Sequence, residues 1–302
     1  MSLFSRLLVG TAESPPIKRL ITRTTAGQAL AYRFVAGETL DQAAAVARRL
    51  NHSGMAVSLD LLGEEVLSTA EVDLAYKGYE ECLQRIADDE LDANISIKLT
   101  QLGLAVDRDV ASSTLDRLAV VAREIGLTIT IDMEDSRYTA ATVDLYRQAQ
   151  ERHGNLGLAL QAYLYRTPGD ITSLVGLGGH LRLCKGAYVE ERDVAFIDKD
   201  EVDAAFARLL EMLMSADQVM PAIATHDPPL IELTRRLART RRAPFEFQML
   251  YGVRTQAQQE LVRADYPVRI YLPYGVAWYP YLVRRLGERP ANLGFFLRSL
   301  WR

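Results

Sequence analysis

A helix predicted near the C-terminus carries side chains suited to binding a small carboxylic acid. The stretch from Tyr271 to Glu288 reads YLPYGVAWYPYLVRRLGE, an apolar strand entry and a Pro-Gly break followed by helical periodicity. Four polar residues have the spacing i, i+3, i+4 and i+7: Tyr281, Arg284, Arg285 and Glu288. At about 100° per residue, these side chains share one helix face. Because arginine keeps its charge and its planar fork matches a carboxylate, the arginine pair predicts a carboxylate clamp.

The same helix also has an ordinary interpretation, which its periodicity alone favours. Leu282, Val283 and Leu286 form an apolar face, as on any surface helix whose arginines pair with a glutamate. Such exposed ion pairs contribute little to stability and indicate no ligand. The choice between a clamp and a solvated face therefore depends on the rest of the chain.

Lys98 is a third candidate cation for the same chemistry. It follows the β-branched run Ile95–Ile97 and lies on the same side of a strand as Ser96. A lysine that points into a barrel needs an anion, because burying its charge alone is costly. Asp132 closes another apolar run and is the predicted partner, with a plain structural ion pair as the alternative role for both.

Two loops that follow predicted strands are suited to contacting a ligand. After the run Leu181–Cys184, Gly186 and Ala187 would let a ligand approach the backbone closely. The segment THDPP at 225–229 predicts a strand end and a helix start, with Asp227 as the N-cap and the prolines in the first turn. Free N–H groups at such a helix start form an anion site suited to a phosphate.

Eight short apolar runs, most of them separated by helix-period stretches, must position these side chains. The runs are Met55–Leu59, Ile95–Leu99, Leu127–Ile131, Leu156–Leu160, Leu181–Cys184, Ala222–Ala224, Phe245–Met249 and Val268–Tyr271. The pattern predicts an α/β fold of parallel βαβ units, and eight units in about 250 residues are typical of a closed (βα)8 TIM barrel. A doubly wound open sheet is the alternative. The glycines within 176–179 precede a strand, which is the wrong order for a dinucleotide loop and predicts a plain turn.

The ends of the predicted strands are all polar. In a (βα)8 barrel the chemistry lies at the C-terminal ends of the strands. The residues at these ends are Asp60, Lys98, Asp132, Gln161, Lys185, Thr225 with His226 and Asp227, Gln248, and Tyr271. Any one of them is more simply a solvated strand end, whereas the recurrence at all eight ends predicts a ring of ligand contacts.

Composition and length limit the class of protein. The chain has 302 residues and a net charge of −4, which argues against a dedicated nucleic-acid binder. Two distant cysteines predict a reducing compartment, and the histidines lack metal-like spacing, so no metal is expected. No apolar run reaches the ~18 residues needed to span a bilayer, and no signal peptide is predicted. We expect one domain over residues 1–302 with a helical prefix over 1–50, in which Gly37 separates two helices and Thr39, with Gln42, caps the second.

Five segments together resemble proline dehydrogenase. They are ISIKL at 95–99, RLCKGAY at 182–188, ATHD at 224–227, FEFQML at 245–250 and YLVRRLGE at 281–288. The likeness extends from FVAGET at 34–39 to the C-terminus, and the combination of Y-x-x-R-R-x-x-E with R-L-x-K-G-A-Y is highly specific. The length resembles that of the short monofunctional bacterial enzymes, without room for the aldehyde dehydrogenase half of the bifunctional proline-utilisation proteins.

The resemblance implies a flavoenzyme built on a distorted (βα)8 barrel that holds FAD without a Rossmann fold, with the last helix closing the C-terminal mouth. It implies oxidation of L-proline to Δ1-pyrroline-5-carboxylate by hydride transfer to flavin N5, the first step of proline catabolism to glutamate. Electrons would pass to a membrane quinone, and a separate pyrroline-5-carboxylate dehydrogenase would be a further partner. The expected location is cytoplasmic, or peripheral at the inner face of the membrane. Because the flavin carries the chemistry, no covalent catalytic residue is expected.

Roles for individual residues follow from the same motifs. Substrate binding is implied for Lys98, Arg284, Arg285, Tyr271, Tyr281, Glu288, Leu250 and Asp132, with Glu288 orienting the arginines. Cofactor binding is implied for Arg182, near flavin N5, and for Lys185, Gly186, Ala187, Gln161, Thr225, His226, Gln248, Asp132 and Ala159. Two departures from the family affect cofactor contacts. Ile197-Asp198 stands where Thr-Lys is frequent, and Asp227 stands where Asn is common, so its charge near phosphates would need offsetting.

Two other functions are compatible with the residues. A barrel acting on a different small carboxylic acid would use the phosphate site for its substrate, and a non-catalytic barrel would serve as a binding or scaffold protein. Two basic segments remain. The arginines between 235 and 242 predict a solvated helix face rather than a nucleic-acid patch. The segment FFLRSLWR at 295–302 predicts packing against the barrel, with contact at a membrane surface as the alternative.

Overall fold

A closed eight-stranded parallel barrel forms the centre of the molecule. The structure is a computed structural model that describes residues 22, 24–63 and 66–288, apart from the side chains of residues 25, 26, 30 and 286–288. The strands are β1 (Ala56–Leu61), β2 (Ala93–Ile97), β3 (Ile129–Ile131), β4 (Leu156–Gln161), β5 (His180–Cys184), β6 (Met220–Ala224), β7 (Glu246–Leu250) and β8 (Val268–Tyr274). Neighbours in sequence pair in order, and β8 pairs with β1. The predicted TIM barrel is confirmed, and the alternative of an open doubly wound sheet is wrong.

Helices lie before, between and after the strands. They are α1 (Thr25–Ala31), α2 (Leu40–His52), α3 (Thr69–Asp88), α4 (Arg108–Glu124), α5 (Ser136–His153), α6 (Thr167–Leu174), α7 (Lys199–Ser215), α8 (Pro228–Ala238), α9 (Thr255–Arg263) and α10 (Trp278–Glu288), with a 3-10 helix at Val175–Leu177. Their apolar faces and the outward residues of the strands form the main core, because a parallel strand is covered on both faces. In the part of the chain that the structure describes, no helix is both long and apolar enough to cross a membrane.

Several strand boundaries differ from the predicted ones. β1 continues through Asp60 to Leu61, because the Asp60 side chain points into the barrel and pairs there instead of ending the strand. β2 ends at Ile97, one residue before Lys98. β8 runs past the predicted end at Tyr271 and includes Pro273. The prediction that this proline breaks the strand is therefore wrong. The carbonyl of Pro273 accepts a hydrogen bond from the backbone N–H of Ala36 at 2.8 Å, which ties the strand end to the prefix.

Gly37 separates two helices of the N-terminal prefix, as predicted. Gly37 has φ +125°, and a Cβ on it would lie 2.3 Å from the Gln42 side chain, so the turn requires glycine. The predicted capping box is confirmed: Thr39 Oγ1 accepts from Gln42 N–H, and Gln42 Oε1 accepts from Thr39 N–H. Among the described residues of the prefix, α1 and α2 are the assigned helices, and the turn at Gly37 lies between them. Residues 1–21 and 23 of the predicted helical prefix lie outside the described residues.

The last helix, α10, lies against this prefix at the barrel mouth. Leu282 and Val283 are buried in a second apolar cluster with Phe34, Val35 and Leu62. The helix is also held by Trp278, whose indole N–H donates to Glu38 at 2.8 Å. The predicted packing of residues 295–302 against the barrel, and its alternative at a membrane surface, concern residues outside the described ones.

A histidine is buried deep inside the barrel, below the mouth. Its ring nitrogen Nε2 lies 2.6 Å from the Thr130 hydroxyl, and the ring packs on Gly157, where a Cβ would lie 2.1 Å from it. Burial lowers the pKa of this residue, His180, to about 4; Glu246 opposes that shift, and two nearby arginines reinforce it. The imidazole is therefore neutral over the physiological pH range.

This burial predicts a loss of stability in mild acid. The unfolded chain protonates His180 near its ordinary pKa of 6.5, but the folded chain does so only near 4, so stability falls as the pH drops below 6.5. Between pH 7.5 and pH 5, His180 should account for about 2 kcal/mol of the lost unfolding free energy. Urea unfolding of a His180→Gln variant should show a correspondingly weaker pH dependence. His52→Gln, at an exposed helix position, is the control and should behave as wild type; equal pH slopes for all three proteins would contradict the prediction.

Candidate active site

A cavity of about 720 Å³ opens at the C-terminal ends of the strands. All the residues predicted at the eight strand ends line it: Asp60, Lys98, Asp132, Gln161, Lys185, Thr225, His226, Asp227, Gln248 and Tyr271. The remaining predicted site residues with described side chains line it as well: Ala159, Arg182, Gly186, Ala187, Leu250, Tyr281, Arg284 and Arg285. The side chain of Glu288 lies outside the described residues. The structure thus brings the predicted residues together, and their contact with a ligand stays a prediction.

Four charged residues of alternating sign form the floor of the cavity. Lys98 Nζ donates to Asp60 Oδ1 at 2.9 Å and lies 3.9 Å from Asp132 Oδ2. The other carboxylate oxygen of Asp132 accepts from Arg182 Nη1, and the Tyr271 hydroxyl donates to Asp132 at 2.6 Å. Lys98 and Arg182 are each less than a tenth exposed. The expected pairing of Lys98 with Asp132 exists, but Asp60 is the nearer anion.

The protonation states of these groups follow from burial and from their neighbours. Burial by itself would lower the pKa of Lys98, but Asp60 and Asp132 raise it above its ordinary value, so the ammonium is retained. Burial raises the pKa of Asp132, although Arg182 and Lys98 oppose that change. Burial, with Asp132 as the next contributor, raises the pKa of Tyr271 well above its ordinary value. The phenol therefore remains a hydrogen-bond donor to the carboxylate.

Arg182 is fixed from three sides of its guanidinium group. Besides Asp132, its Nε donates to Gln248 Oε1, and its Nη2 donates to Ser96 at 3.0 Å and to Ser58 at 3.4 Å. The guanidinium carbon also lies 5.2 Å from the centroid of the Tyr271 ring. Since acceptors engage all three nitrogens, the orientation of this cation relative to the cavity is set by the barrel and not by solvent.

The arginine pair of α10 forms one wall of the same cavity. Arg284 lies 5.8 Å from the Tyr188 ring centroid, and Arg285 lies 5.2 Å from the Tyr281 ring centroid. Both arginines are half-buried, and Tyr281 is buried among apolar neighbours of the mouth. The predicted polar face therefore points inward at Tyr281, Arg284 and Arg285, and the interpretation of this helix as an ordinary solvated surface is wrong.

The far end of the cavity is lined by a second group of charges. Lys185 pairs with Asp203 and donates to Asp227 at 2.8 Å, so a lysine offsets the charge of the Asp227 carboxylate. Asp227 occupies the predicted N-cap position of α8, but its side chain makes no capping hydrogen bond because Lys185 engages it. The predicted anion site at this helix start stays a prediction.

The loop after β5 brings its backbone close to the cavity. Gly186 has φ +125°, and a Cβ on it would lie 2.5 Å from the Tyr163 ring, so this position requires glycine. The next backbone N–H, of Ala187, donates to Gln161 Oε1 at 3.3 Å, and Gln161 Nε2 donates to the carbonyl of Glu134 at 2.8 Å. The amide of Gln161 is thereby oriented. The close approach of a ligand to this backbone stays a prediction.

Among the residues that line the cavity, Asp60, Tyr188, Lys199 and Arg254 are polar and have no role implied by the family motifs. Two of them could have been assigned a role from the sequence. Asp60 closes a predicted strand, and Tyr188 is the last residue of the segment RLCKGAY. Lys199 begins α7 immediately after Ile197-Asp198, and neither residue of that pair lines the cavity. Arg254 has a left-handed backbone with φ +50° and donates to the carbonyl of His226 at 2.7 Å, which periodicity does not predict.

The fold and the cavity define a (βα)8 barrel with a cation-rich binding site at its C-terminal mouth. A sequence profile described as proline dehydrogenase matches residues 43–298. Proline dehydrogenase 1 of Bacillus subtilis subsp. natto is 41% identical over 274 residues, which cover 89% of this chain and 90% of that protein. The proline dehydrogenase of Deinococcus radiodurans is 34% identical over 306 residues, covering 99% and 98% respectively. The chain belongs to the proline dehydrogenase family, whose enzymes are oxidoreductases acting on the CH–NH group, and the resemblance seen in the sequence is confirmed.

A solved structure shows the same architecture. Proline utilization A (PutA) from Bdellovibrio bacteriovorus, inactivated by N-propargylglycine, matches with a TM-score of 0.81 and 24% identity. The match covers 92% of this chain and 35% of that one. At this identity the comparison supports the barrel fold alone.

The glycine after β5 generates a prediction about the site. Gly186→Ala should destabilise the protein by about 2 kcal/mol, because the new methyl group meets a buried ring and the backbone angle disfavours a side chain. The apparent melting temperature should fall by about 3 °C. Gly176→Ala is the matched control, since a Cβ there meets nothing within 4 Å and should leave the melting temperature unchanged. Melting curves that coincide for the two variants would show that the close packing at Gly186 is not required.

Proposed function

We propose that this enzyme oxidises L-proline to Δ1-pyrroline-5-carboxylate with FAD as the bound cofactor. The observation that carries the proposal is a single cavity whose lining includes, as a first group, the cations Arg284, Arg285 and Lys98 and, as a second, Arg182 with the backbone of Gly186. The first group matches the carboxylate of an amino acid, and the second provides charge and close backbone approach for a flat cofactor. Membership of the proline dehydrogenase family supports the assignment of proline to the first group.

The residues present fit a flavin dinucleotide. The cavity has a volume of about 720 Å³, which lies within the range of ~300–1,000 Å³ usual for small-ligand sites. We infer that Arg182, Gln161 and Gln248 hold the flavin ring, with Gly186 and Ala187 allowing close contact. Lys185, Thr225 and His226 would hold the remainder of the cofactor. When bound, FAD supplies the acceptor, its N5, for the hydride that leaves a ring carbon of proline.

The protein's own residues would bind and orient the substrate. Arg284, Arg285 and Lys98 would bind the proline carboxylate, while Tyr281 and Leu250 would pack against its ring and Tyr271 and Asp132 would complete the wall. Hydride transfer requires the amine nitrogen to be neutral and the reacting atoms to be held close together. The cations of the clamp favour the neutral amine, because positive charge near an ammonium group lowers its pKa. Exclusion of water from the mouth by α10 would also favour the neutral amine, because loss of hydration disfavours the charged form.

Electrons are proposed to pass to a membrane quinone, and the product to a separate pyrroline-5-carboxylate dehydrogenase. A cytoplasmic location, or a peripheral one at the inner face of the membrane, would suit this order of reactions. Neither acceptor is needed for the first half-reaction, so the oxidation of proline can be tested on the purified protein alone.

A visible spectrum provides the direct test. The purified protein should be yellow, and under anaerobic conditions L-proline should bleach the flavin band. D-proline, which presents the opposite ring face when its carboxylate is clamped, is the control and should bleach it far more slowly. A colourless protein that does not bind added FAD would remove the proposal. Turnover of a phosphorylated or other non-proline acid without flavin would support the alternative of an enzyme for a different small carboxylic acid. Absence of any turnover would support a non-catalytic binding protein.

The arginine pair is tested by charge removal. Arg284→Met or Arg285→Met should each raise the KM for proline by about tenfold or more, because a charge-assisted hydrogen bond contributes about 1.5–3 kcal/mol. Arg236→Met, which removes an exposed arginine of α8, is the control and should leave KM unchanged. An unchanged KM in both clamp variants would show that the carboxylate is bound elsewhere.

A further inference from the structure

We propose that Glu246 is a positioning residue that fixes the amide of Gln248 and, through it, the guanidinium of Arg182. The inference rests on the proposed function, in which Arg182 and Gln248 contact the cofactor. It concerns a residue below the cavity that would touch neither cofactor nor substrate. Glu246 is buried on β7, two residues before Gln248, so both side chains point into the barrel.

The contacts form a chain of alternating donors and acceptors across the barrel. Arg269 Nε donates to Glu246 Oε1 at 2.9 Å and to Oε2 at 3.2 Å, and Arg269 Nη1 donates to the carbonyl of Val57 at 2.9 Å. Glu246 Oε1 accepts from Gln248 Nε2 at 2.6 Å. Gln248 Oε1 then accepts from Arg182 Nε. β7 thus connects an arginine on β8 with an arginine on β5.

The chain determines which way the glutamine amide points. A glutamine side chain has nearly the same shape in either orientation, so its neighbours decide where the oxygen lies. The Glu246 carboxylate can only accept, and the Arg182 Nε–H can only donate, so both require the same orientation of Gln248. If the amide turned over, it would present N–H groups to an arginine and its oxygen to a carboxylate, which are two repulsive contacts inside a buried site.

The position of Glu246 separates its role from that of a ligand-binding residue. Gln248 and Arg182 line the cavity, whereas Glu246 and Arg269 do not. A plain structural ion pair between Glu246 and Arg269 would stabilise the fold and have no influence on the chemistry. A positioning role predicts in addition that the loss of the Glu246 charge changes the reaction at the cavity without a change of stability large enough to explain it.

The first test compares two variants in the barrel interior. Glu246→Gln keeps the size of the side chain but leaves one acceptor oxygen for both Arg269 and Gln248. Thr130→Val is the matched control, because it removes a buried hydroxyl bonded to His180 and Asn94 that lies outside the chain of contacts. In the FAD-loaded enzyme, Glu246→Gln should lower kcat for proline about tenfold, hold KM within about twofold and shift the flavin absorbance band. Thr130→Val should leave kcat, KM and the band unchanged.

The second test needs no cofactor and uses an exchange of the two side chains. Gln248→Glu alone places two carboxylates in contact and should lower the urea midpoint of unfolding. Adding Glu246→Gln restores the alternation, since the new amide at position 246 accepts from Arg269 and donates to the new carboxylate at position 248, which accepts from Arg182. The substitution at 246 should therefore lower the midpoint in the wild-type background and raise it in the Gln248→Glu background.

The outcomes distinguish this inference from the proposed function. If the wild-type protein binds no FAD, the proposed function fails, and the reversal of sign in the exchange still supports the orienting contact. If Glu246→Gln matches wild type in kcat, KM and flavin spectrum, Glu246 is only structural and the inference is overturned. A double variant no more stable than Gln248→Glu alone would equally overturn it, because the amide orientation would not depend on residue 246.

Discussion

Lys98 and Arg182 are buried cations at the centre of the barrel, and the site depends on the two carboxylates that neutralise them, Asp60 and Asp132. A single buried charge is costly, and removing one member of a buried pair leaves its partner uncompensated. Asp60 and Arg182 lie on β1 and β5, while Lys98 and Asp132 directly follow β2 and β3. Around these four charges, the Tyr271 hydroxyl on β8 donates to Asp132, and Arg182 on β5 donates to Ser58 on β1. The complete floor therefore depends on contacts that cross the interior of the barrel.

The mouth is completed by elements from both ends of the described chain. The turn at Gly37 accepts a hydrogen bond from the backbone N–H of Gly275 at 3.0 Å, and Trp278 donates to Glu38. These contacts fix the start of α10 against the prefix, and α10 carries Arg284 and Arg285 to the cavity wall. The described part of the prefix thus helps to position the proposed carboxylate clamp. The deeper chain from Arg269 to Arg182 acts in a comparable way on the proposed cofactor side.

How far the site could be predicted is clearest at particular residues. Alternation along a strand placed Lys98 and Ser96 on the inner side, and the polar strand ends indicated the ring of residues at the mouth. The nearer partner of Lys98 was missed, because it depends on the pairing of β1 with β2, in which Asp60 lies beside Ser96. Asp227 has the local pattern of a helix cap, but Lys185, distant in sequence, engages its carboxylate instead. The roles assigned to Glu288 and to residues 295–302 remain predictions.

The sequence by itself determined the eight-unit alternation, the family and the identities of the residues at the strand ends, because these depend on local periodicity and on short motifs. Tertiary structure alone decided that α10 turns its arginines inward and that Asp60 neutralises Lys98. It also decided that Gln248 is held between Glu246 and Arg182. Each of these facts is a contact between side chains remote in sequence, and its free energy depends on burial and distance, which exist only once the barrel has closed.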